Sequence, residues 1–271
     1  MSQSENNTTI NAAGKKIVRV TTDFCGRELS LEVNRVGFRT TSSVLVRYGD
    51  TVVLGTVQLG HPLQGFDYFP LSIDYEEKFY AAGKISGSRF VKREGKPSDD
   101  AVLIGRLIDR PIRPLWPKGY RNEVQGVATV LSMDPSFRPD MVAMIAMSAA
   151  FLTSGAPFDG PVAGLRIGIN GKGEYQAFMS AEELNNSKLD LVVAVHDGRV
   201  MMVEAGANEA TEAEIDGALD YAVKMTKSAL ELQKELAEKL AVPAQEYELT
   251  LPEDTIQAAV DAWIKGKLGA A

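Results

Sequence analysis

AAGKISGSRFVKREGKPSDDAVLIGRLIDRPIRPLWPKGY, residues 81–120, changes character near its middle. As far as Asp100 it is rich in Gly, Ser and basic residues without apolar periodicity, the mark of an exposed loop. Ser98 then precedes Asp99, Asp100 and an apolar-periodic run, which is a helix start with acids in the first turn. The spacing predicts a helix over about 99–110, with Val102, Leu103, Leu107 and Ile108 inward and Pro111 and Pro114 ending it. The loop sets Phe90 among Arg89, Lys92 and Arg93. The helix sets Arg106 and Arg110 four apart on one face, with Arg113 beyond its end. An aromatic face that stacks on a base beside cations that meet phosphates is a sequence-tolerant recipe for single strands. Arginine can also grip a phosphate bidentately. The alternative is a solvated helix face with its arginines paired near Asp109.

On the amino-terminal side the pattern is period 2. In ELSLEVNRV, Leu29, Leu31 and Val33 face one way and Glu28, Ser30 and Glu32 the other, as in a half-buried strand. KIVRVTT gives another strand. SSVLVRYGDTVVLGTVQLG gives two, 44–48 and 51–59, joined at Gly49-Asp50. FDYFPLSIDYEEK predicts a strand over 69–77 whose Asp74, Glu76 and Glu77 form its polar face.

On the carboxyl side, 124–133 reads as a strand and 139–153 as a helix apolar nearly all round, hence buried. Asn170-Gly171 and Asp197-Gly198 predict two hairpins, 163–169 with 174–178 and 189–195 with 199–204. Thr211 with Glu214 three residues on is a capping box that opens a long helix to about Leu240. Val242-Pro243 ends it, and another helix begins after Pro252 and stops at Gly269, as if cut short. Strands first, then helices interleaved with antiparallel hairpins, then helices, make the fold class α+β. The expected organisation is a disordered tail over 1–15, a core over 16–241 and a helical segment over 242–271.

Charge is unevenly spread. The 271 residues carry a formal charge of −7, yet Lys78–Arg121 holds eleven basic and four acidic residues, and Glu204 to the end holds six basic and fourteen acidic ones. A local basic patch attracts a polyanion whatever the total, because screening confines each field to about 8 Å at physiological salt. One cysteine, Cys25, and two distant histidines exclude an internal disulfide and leave too few ligands for a Cys/His zinc site. No apolar run reaches the length of a membrane span, and the polar first sixteen residues lack a signal-peptide core. A cytoplasmic protein without membrane partners is expected.

The segments GRELSLEV (26–33), FDYFPLSIDYEEKFYAAGKI (66–85), REGKPSDDAVLIGRLIDRPIRPLWP (93–117), SGAPFDGPVAGLRIG (154–168) and SKLDLVVA (187–194) carry a resemblance. The chain resembles the amino-terminal part of the bacterial polynucleotide phosphorylases, from about Gly26 to its last residue. The resemblance implies an RNase PH-like core, a βαβ sandwich of mixed sheet and helices, followed by the start of an all-helical linker domain. It implies a homotrimeric ring around an RNA channel and Mg²⁺-dependent attack of inorganic phosphate on the 3′ end of single-stranded RNA, releasing nucleoside 5′-diphosphates. The family's catalytic residues and Mg²⁺ ligands are expected in a second core outside this chain. By homology between the cores, Asp190 matches one of the two aspartates, while Val192 stands at the lysine's place and Leu184 at the other aspartate's. The serine-rich phosphate turn reads Pro135-Ser136-Phe137-Arg138-Pro139-Asp140 instead. This core is therefore expected to hold no catalytic residue and no metal, and to bind RNA through Arg89, Phe90, Lys92 and Arg93, with Arg106, Arg110 and Arg113 as further phosphate contacts. A free-standing, non-catalytic ring subunit of exosome type is the other reading.

Overall fold

The computed structural model describes residues 9–62, 65–85, 95–265 and 267. Strands β1 (Thr9–Ile10), β2 (Lys16–Phe24), β3 (Arg27–Val33), β4 (Ser42–Tyr48) and β5 (Thr51–Pro62) form an antiparallel meander. Each register follows from its turn. Phe24 pairs with Arg27 across Cys25-Gly26, and Tyr48 pairs with Thr51 across Gly49-Asp50. Cys25 and Gly26 both have positive φ, 52° and 81°, which a two-residue type I′ turn requires. The period-2 reading holds: Leu29, Leu31 and Val33 are fully buried.

The sheet continues with β6 (Leu71–Glu77) and β7 (Asn122–Ser132), in the order β1-β2-β3-β4-β5-β7-β6. β6 and β7 are parallel, so the chain must cross over between them. That crossover carries α1 (Asp99–Ile112), which packs against β6. Two expectations for this helix are corrected. Leu107 and Ile108 are inward as expected, but Val102 and Leu103 point outward, 52% and 59% exposed, and Ala101 and Ile112 complete the buried face in their place. The helix also runs through Pro111 to Ile112, because a proline near the last turn forfeits only one hydrogen bond. Gly105 lies where α1 meets the sheet, since a Cβ there would stand 2.9 Å from the Ile73 carbonyl oxygen.

Helix α2 (Asp140–Leu152) is buried on every side but its last residue. It packs against β4, β5 and β7 on one side and β8 (Ala163–Ile169) on the other, so it fills the space between two sheets. The second sheet joins β8 and β9 (Tyr175–Ala177) to β10 (Leu189–His196) and β11 (Arg199–Ala207) in the order β11-β10-β8-β9, all antiparallel. Both expected hairpins form, and the β8–β10 pairing welds them together. A short helix α3 (Ala181–Asn185), capped by Ser180 and Glu183, lies between β9 and β10. It passed unrecognised because five residues show no helical period. Helix α4 (Glu212–Leu240) has the expected capping box and packs against β2, β8 and β10.

The ends also differ from expectation. Within the tail assigned to 1–15, residues 9–15 are ordered: β1 pairs with β2 and Asn11 Nδ2 donates to the Asn34 carbonyl at 3.0 Å. After α4 the chain is extended and strapped to the core. Gln245 N donates to the Gly155 carbonyl at 2.8 Å, Thr250 N to that of Gly119 at 2.9 Å, and the Tyr247 and Tyr120 rings lie 5.7 Å apart. Gly119 and Gly155 have positive φ, and a Cβ on either would come within 2.7 Å of a strap carbonyl. Helix α5 (Asp254–Ile264) follows with its whole surface exposed or half-exposed, Trp263 at 66%. No helix among the described residues is long and apolar enough to cross a membrane.

Candidate functional site

Arg89, Phe90, Lys92 and Arg93 lie outside the described residues. Their flanks border a cleft of about 380 Å³ between β6 and the start of α1. Tyr75, Glu77, Lys78, Lys84, Lys96 and Ser98 line it. Ser98 caps α1, its hydroxyl accepting from Ala101 N at 3.2 Å. The Tyr75 hydroxyl donates to Glu77 at 2.6 Å, and burial, reinforced by that carboxylate, pushes the phenol well above its ordinary range. Tyr75 is thus a neutral donor locked onto Glu77. Lys84 and Lys96 stand exposed and carry the cleft's positive charge.

The three arginines beyond the loop separate into distinct settings. Arg106 is exposed and has no ion pair among the described residues. Arg110 meets Glu204 on β11 at 3.2 Å with both side chains more than half exposed. Such a surface pair is weak and leaves the guanidinium free to exchange partners. Arg113 is the most firmly tied of the three, in the pairing to Asp109 that the alternative reading expects. Its Nε and Nη2 fork onto Asp109 at 2.8 Å each, while Nη2 and Nη1 also donate to the carbonyls of Leu71 at 2.9 Å and Phe69 at 3.3 Å. With four of its five donors engaged by α1 and the segment entering β6, Arg113 ties helix to strand. Asp109 lies one turn earlier on the helix, so the same turn that predicted an arginine face also supplies the partner that occupies this arginine. Arg113→Ala should lower stability by about 1–2 kcal/mol, the range for partly exposed charge-assisted hydrogen bonds. Arg106→Ala should stay within about 0.5 kcal/mol. Urea melts of the two variants compare them; equal midpoints would refute the tie.

A second constellation lies where α2 begins. Asp190 on β10 and Asp140 at the first turn of α2 flank Arg166 on β8, whose Nε is 3.6 Å from Asp190 Oδ1 and 3.6 Å from Asp140 Oδ2. Pairing of β8 with β10 sets Val192 directly against Arg166, and Asp190 against Gly168. Asp140 is 1% exposed. Its Oδ1 accepts from Met141 N at 2.8 Å. Burial raises the Asp140 carboxyl while Arg166 and the Met141 amide pull it down. Val192 and Leu184 are buried in apolar packing at 2% and 8% exposure. They therefore build the core at the two places where the resemblance expects a lysine and an acid. These donors do not fit a resident Mg²⁺, since the Asp140–Asp190 carboxylate pair is already bridged by a guanidinium. Sequence reading singled out Asp190 but missed Asp140 and Arg166 as its partners. They are 26 residues apart, on a helix and a strand, and no linear spacing relates them.

Comparisons with known proteins agree with this architecture. Residues 26–157 match the family described as RNase PH, 3′ exoribonuclease family, domain 1. The chain is 45% identical over 248 residues, 91% of its length, to the polyribonucleotide nucleotidyltransferase of Staphylococcus aureus strain JH9, and equally to that of strain Newman. It spans about a third of the length of these relatives, 34%. The crystal structure of rice (Oryza sativa) Rrp46 shares the fold at a TM-score of 0.58 and 13% identity, covering 88% of this chain and 99% of that one. The match to the RNase PH-type 3′ exoribonuclease family thus spans residues 26–157, and the chain's similarity is to the N-terminal region of the polyribonucleotide nucleotidyltransferases.

Proposed function

We propose that this chain is the leading, non-catalytic core of a phosphorolytic 3′-to-5′ exoribonuclease, and that it grips single-stranded RNA on its way to an active site elsewhere. In that reaction an oxygen of inorganic phosphate attacks the terminal phosphodiester. The P–O bond to the penultimate nucleotide breaks, and a nucleoside 5′-diphosphate leaves. The observation that carries the reading is Asp190, the one family-matched acid, paired with Arg166, while Val192 and Leu184, at the places of its expected partners, are buried and apolar. The basic segment Lys78–Arg121 supports RNA contact, with Arg89, Phe90, Lys92 and Arg93 as the proposed grip and Arg106 and Arg110 as auxiliary phosphate contacts. The Mg²⁺ requirement, the homotrimeric ring and the cytoplasmic location belong to the same proposal and rest on the resemblance.

Incubated with poly(A), phosphate and Mg²⁺, the chain should release no ADP. It should bind single-stranded RNA with a log–log salt slope of a few units, since each phosphate contact adds about 0.7 for single strands. Protein-dependent ADP that disappears in Asp190→Ala would overturn the non-catalytic reading. Salt-insensitive or sequence-selective binding would overturn the backbone grip.

A further inference from the structure

We propose that Arg166 is a built-in cation standing where a divalent metal ion could bind between Asp140 and Asp190, and that a neutral side chain at 166 opens that site to Mg²⁺ or Mn²⁺. The inference rests on the geometry of the cluster and does not depend on RNA binding.

Asp140 Oδ2, Arg166 Nε and Asp190 Oδ1 are all sealed from solvent, and none has a hydrogen-bond partner. At 3.6 Å the Nε separations are too long for hydrogen bonds. The arginine is therefore not engaged through its planar fork, as Arg113 is. It serves the two carboxylates as a charge, with one oxygen of each turned toward the same nitrogen. Asp140 is 1% exposed and its unpartnered oxygen points into the cluster. A buried carboxylate is costly; burial raises the Asp140 carboxyl, and the charges of Arg166 and Arg138 pull it back down. Together the two carboxylates carry the charge that a divalent ion would match in place of the guanidinium.

The ligand chemistry is that of a hard cation. Both available ligands are carboxylate oxygens, which suit Mg²⁺ and Mn²⁺; no thiol or imidazole takes part. Asp190 is 38% exposed on its side chain, which provides a route from solvent and room for the waters these ions retain. Val192, opposite Arg166 on β10, is buried and apolar and supplies no further ligand.

The test uses the whole chain with Arg166→Gln, the double variant Arg166→Gln/Asp190→Asn, and Mn²⁺ as the probe. Electron paramagnetic resonance reads bound ion and thermal melting reads stability. The parent chain should take up no Mn²⁺ that depends on Asp190. Arg166→Gln should melt below the parent, bind Mn²⁺ stoichiometrically and rise in melting temperature with Mn²⁺, while the double variant should lose both responses. Arg166→Lys, which keeps the charge, should stay insensitive to Mn²⁺. Arg166→Gln binding no more Mn²⁺ than the double variant would overturn the proposal, as would Asp190-dependent Mn²⁺ binding by the parent. Should Arg166→Gln fold only when Mn²⁺ is added, the proposal stands. Failure to fold at any Mn²⁺ concentration counts against it.

Discussion

At pH 8 the thiol of Cys25 should react with iodoacetamide about thirtyfold or more slowly in the folded chain than in the same chain in urea. Burial, reinforced by the Asp23 carboxylate, pushes this thiol from 9.0 up to about 12. The thiolate is the reacting species, so the fraction able to react at pH 8 falls by about a thousandfold. A more basic thiolate is a better nucleophile, and that gain, about 16- to 32-fold for a shift of this size, offsets part of the loss. The source of the shift is the hairpin itself. A type I′ turn puts Cys25 at positive φ between two buried neighbours, Phe24 and the core ring of Tyr48, so the sulfur packs inward although the turn is at the surface. The sign for stability follows. A group raised on folding contributes stability that is fully present below its unfolded value and is lost as pH rises through its folded value. Cys25 therefore adds to an alkaline limit between about pH 9 and 12, and Tyr48, raised by burial, extends it upward. Equal alkylation rates in the folded and unfolded chain would show that the sulfur is not buried.

Gly55→Ala should destabilise the chain by about 3 kcal/mol, at the upper end for overpacked cores. A Cβ on Gly55 would stand 2.6 Å from the carbonyl oxygen of Ala146 and 2.8 Å from its carbonyl carbon. Those are backbone atoms of α2, and α2 cannot retreat because β8 holds its other side. Gly126, on the adjacent strand β7, gives the control. Its Cβ would run into Met147 Cε, with Phe151 Cζ at 2.9 Å, and both are side-chain ends. A methionine can change rotamer, so Gly126→Ala should cost about 1 kcal/mol. Alanine's smaller loss of backbone freedom returns about 0.5–1 kcal/mol in each case and leaves the order unchanged. Denaturant midpoints of the two variants test this; a cost at Gly126 equal to or above that at Gly55 would mean that α2 is free to shift.

Local signals were legible wherever one element made its own case. Alternation in 28–33, Gly49-Asp50 and Asp197-Gly198 between strands, and the Thr211/Glu214 capping box were read directly. The all-apolar stretch after Pro139 announced a buried helix, and α2 is that helix. Reading failed where two elements compete for one face. The sequence reading groups Val102 and Leu103 with Leu107 and Ile108 on α1's inner face, but the tight approach to β6 at Gly105 sets the buried face through Ala101, Leu107, Ile108 and Ile112 and leaves the first two outside. Arg113 looks like a free cation in sequence, because the Phe69 and Leu71 carbonyls that hold it are 44 and 42 residues away.

By itself, then, the sequence determined the α+β class, most strands and turns, the basic middle segment and the family resemblance. All of these depend on patterns within a few tens of residues. Only the tertiary structure decided that β6 runs parallel to β7, that β8 joins β10, and that Asp140, Arg166 and Asp190 meet. The physical reason is that a strand's side-chain period fixes which face is buried but not which edge it pairs with. Charge pairing across 26 and 24 residues likewise leaves no periodic trace. It arises because burial of α2 between two sheets forces its first carboxylate against β8, where a compensating charge is needed.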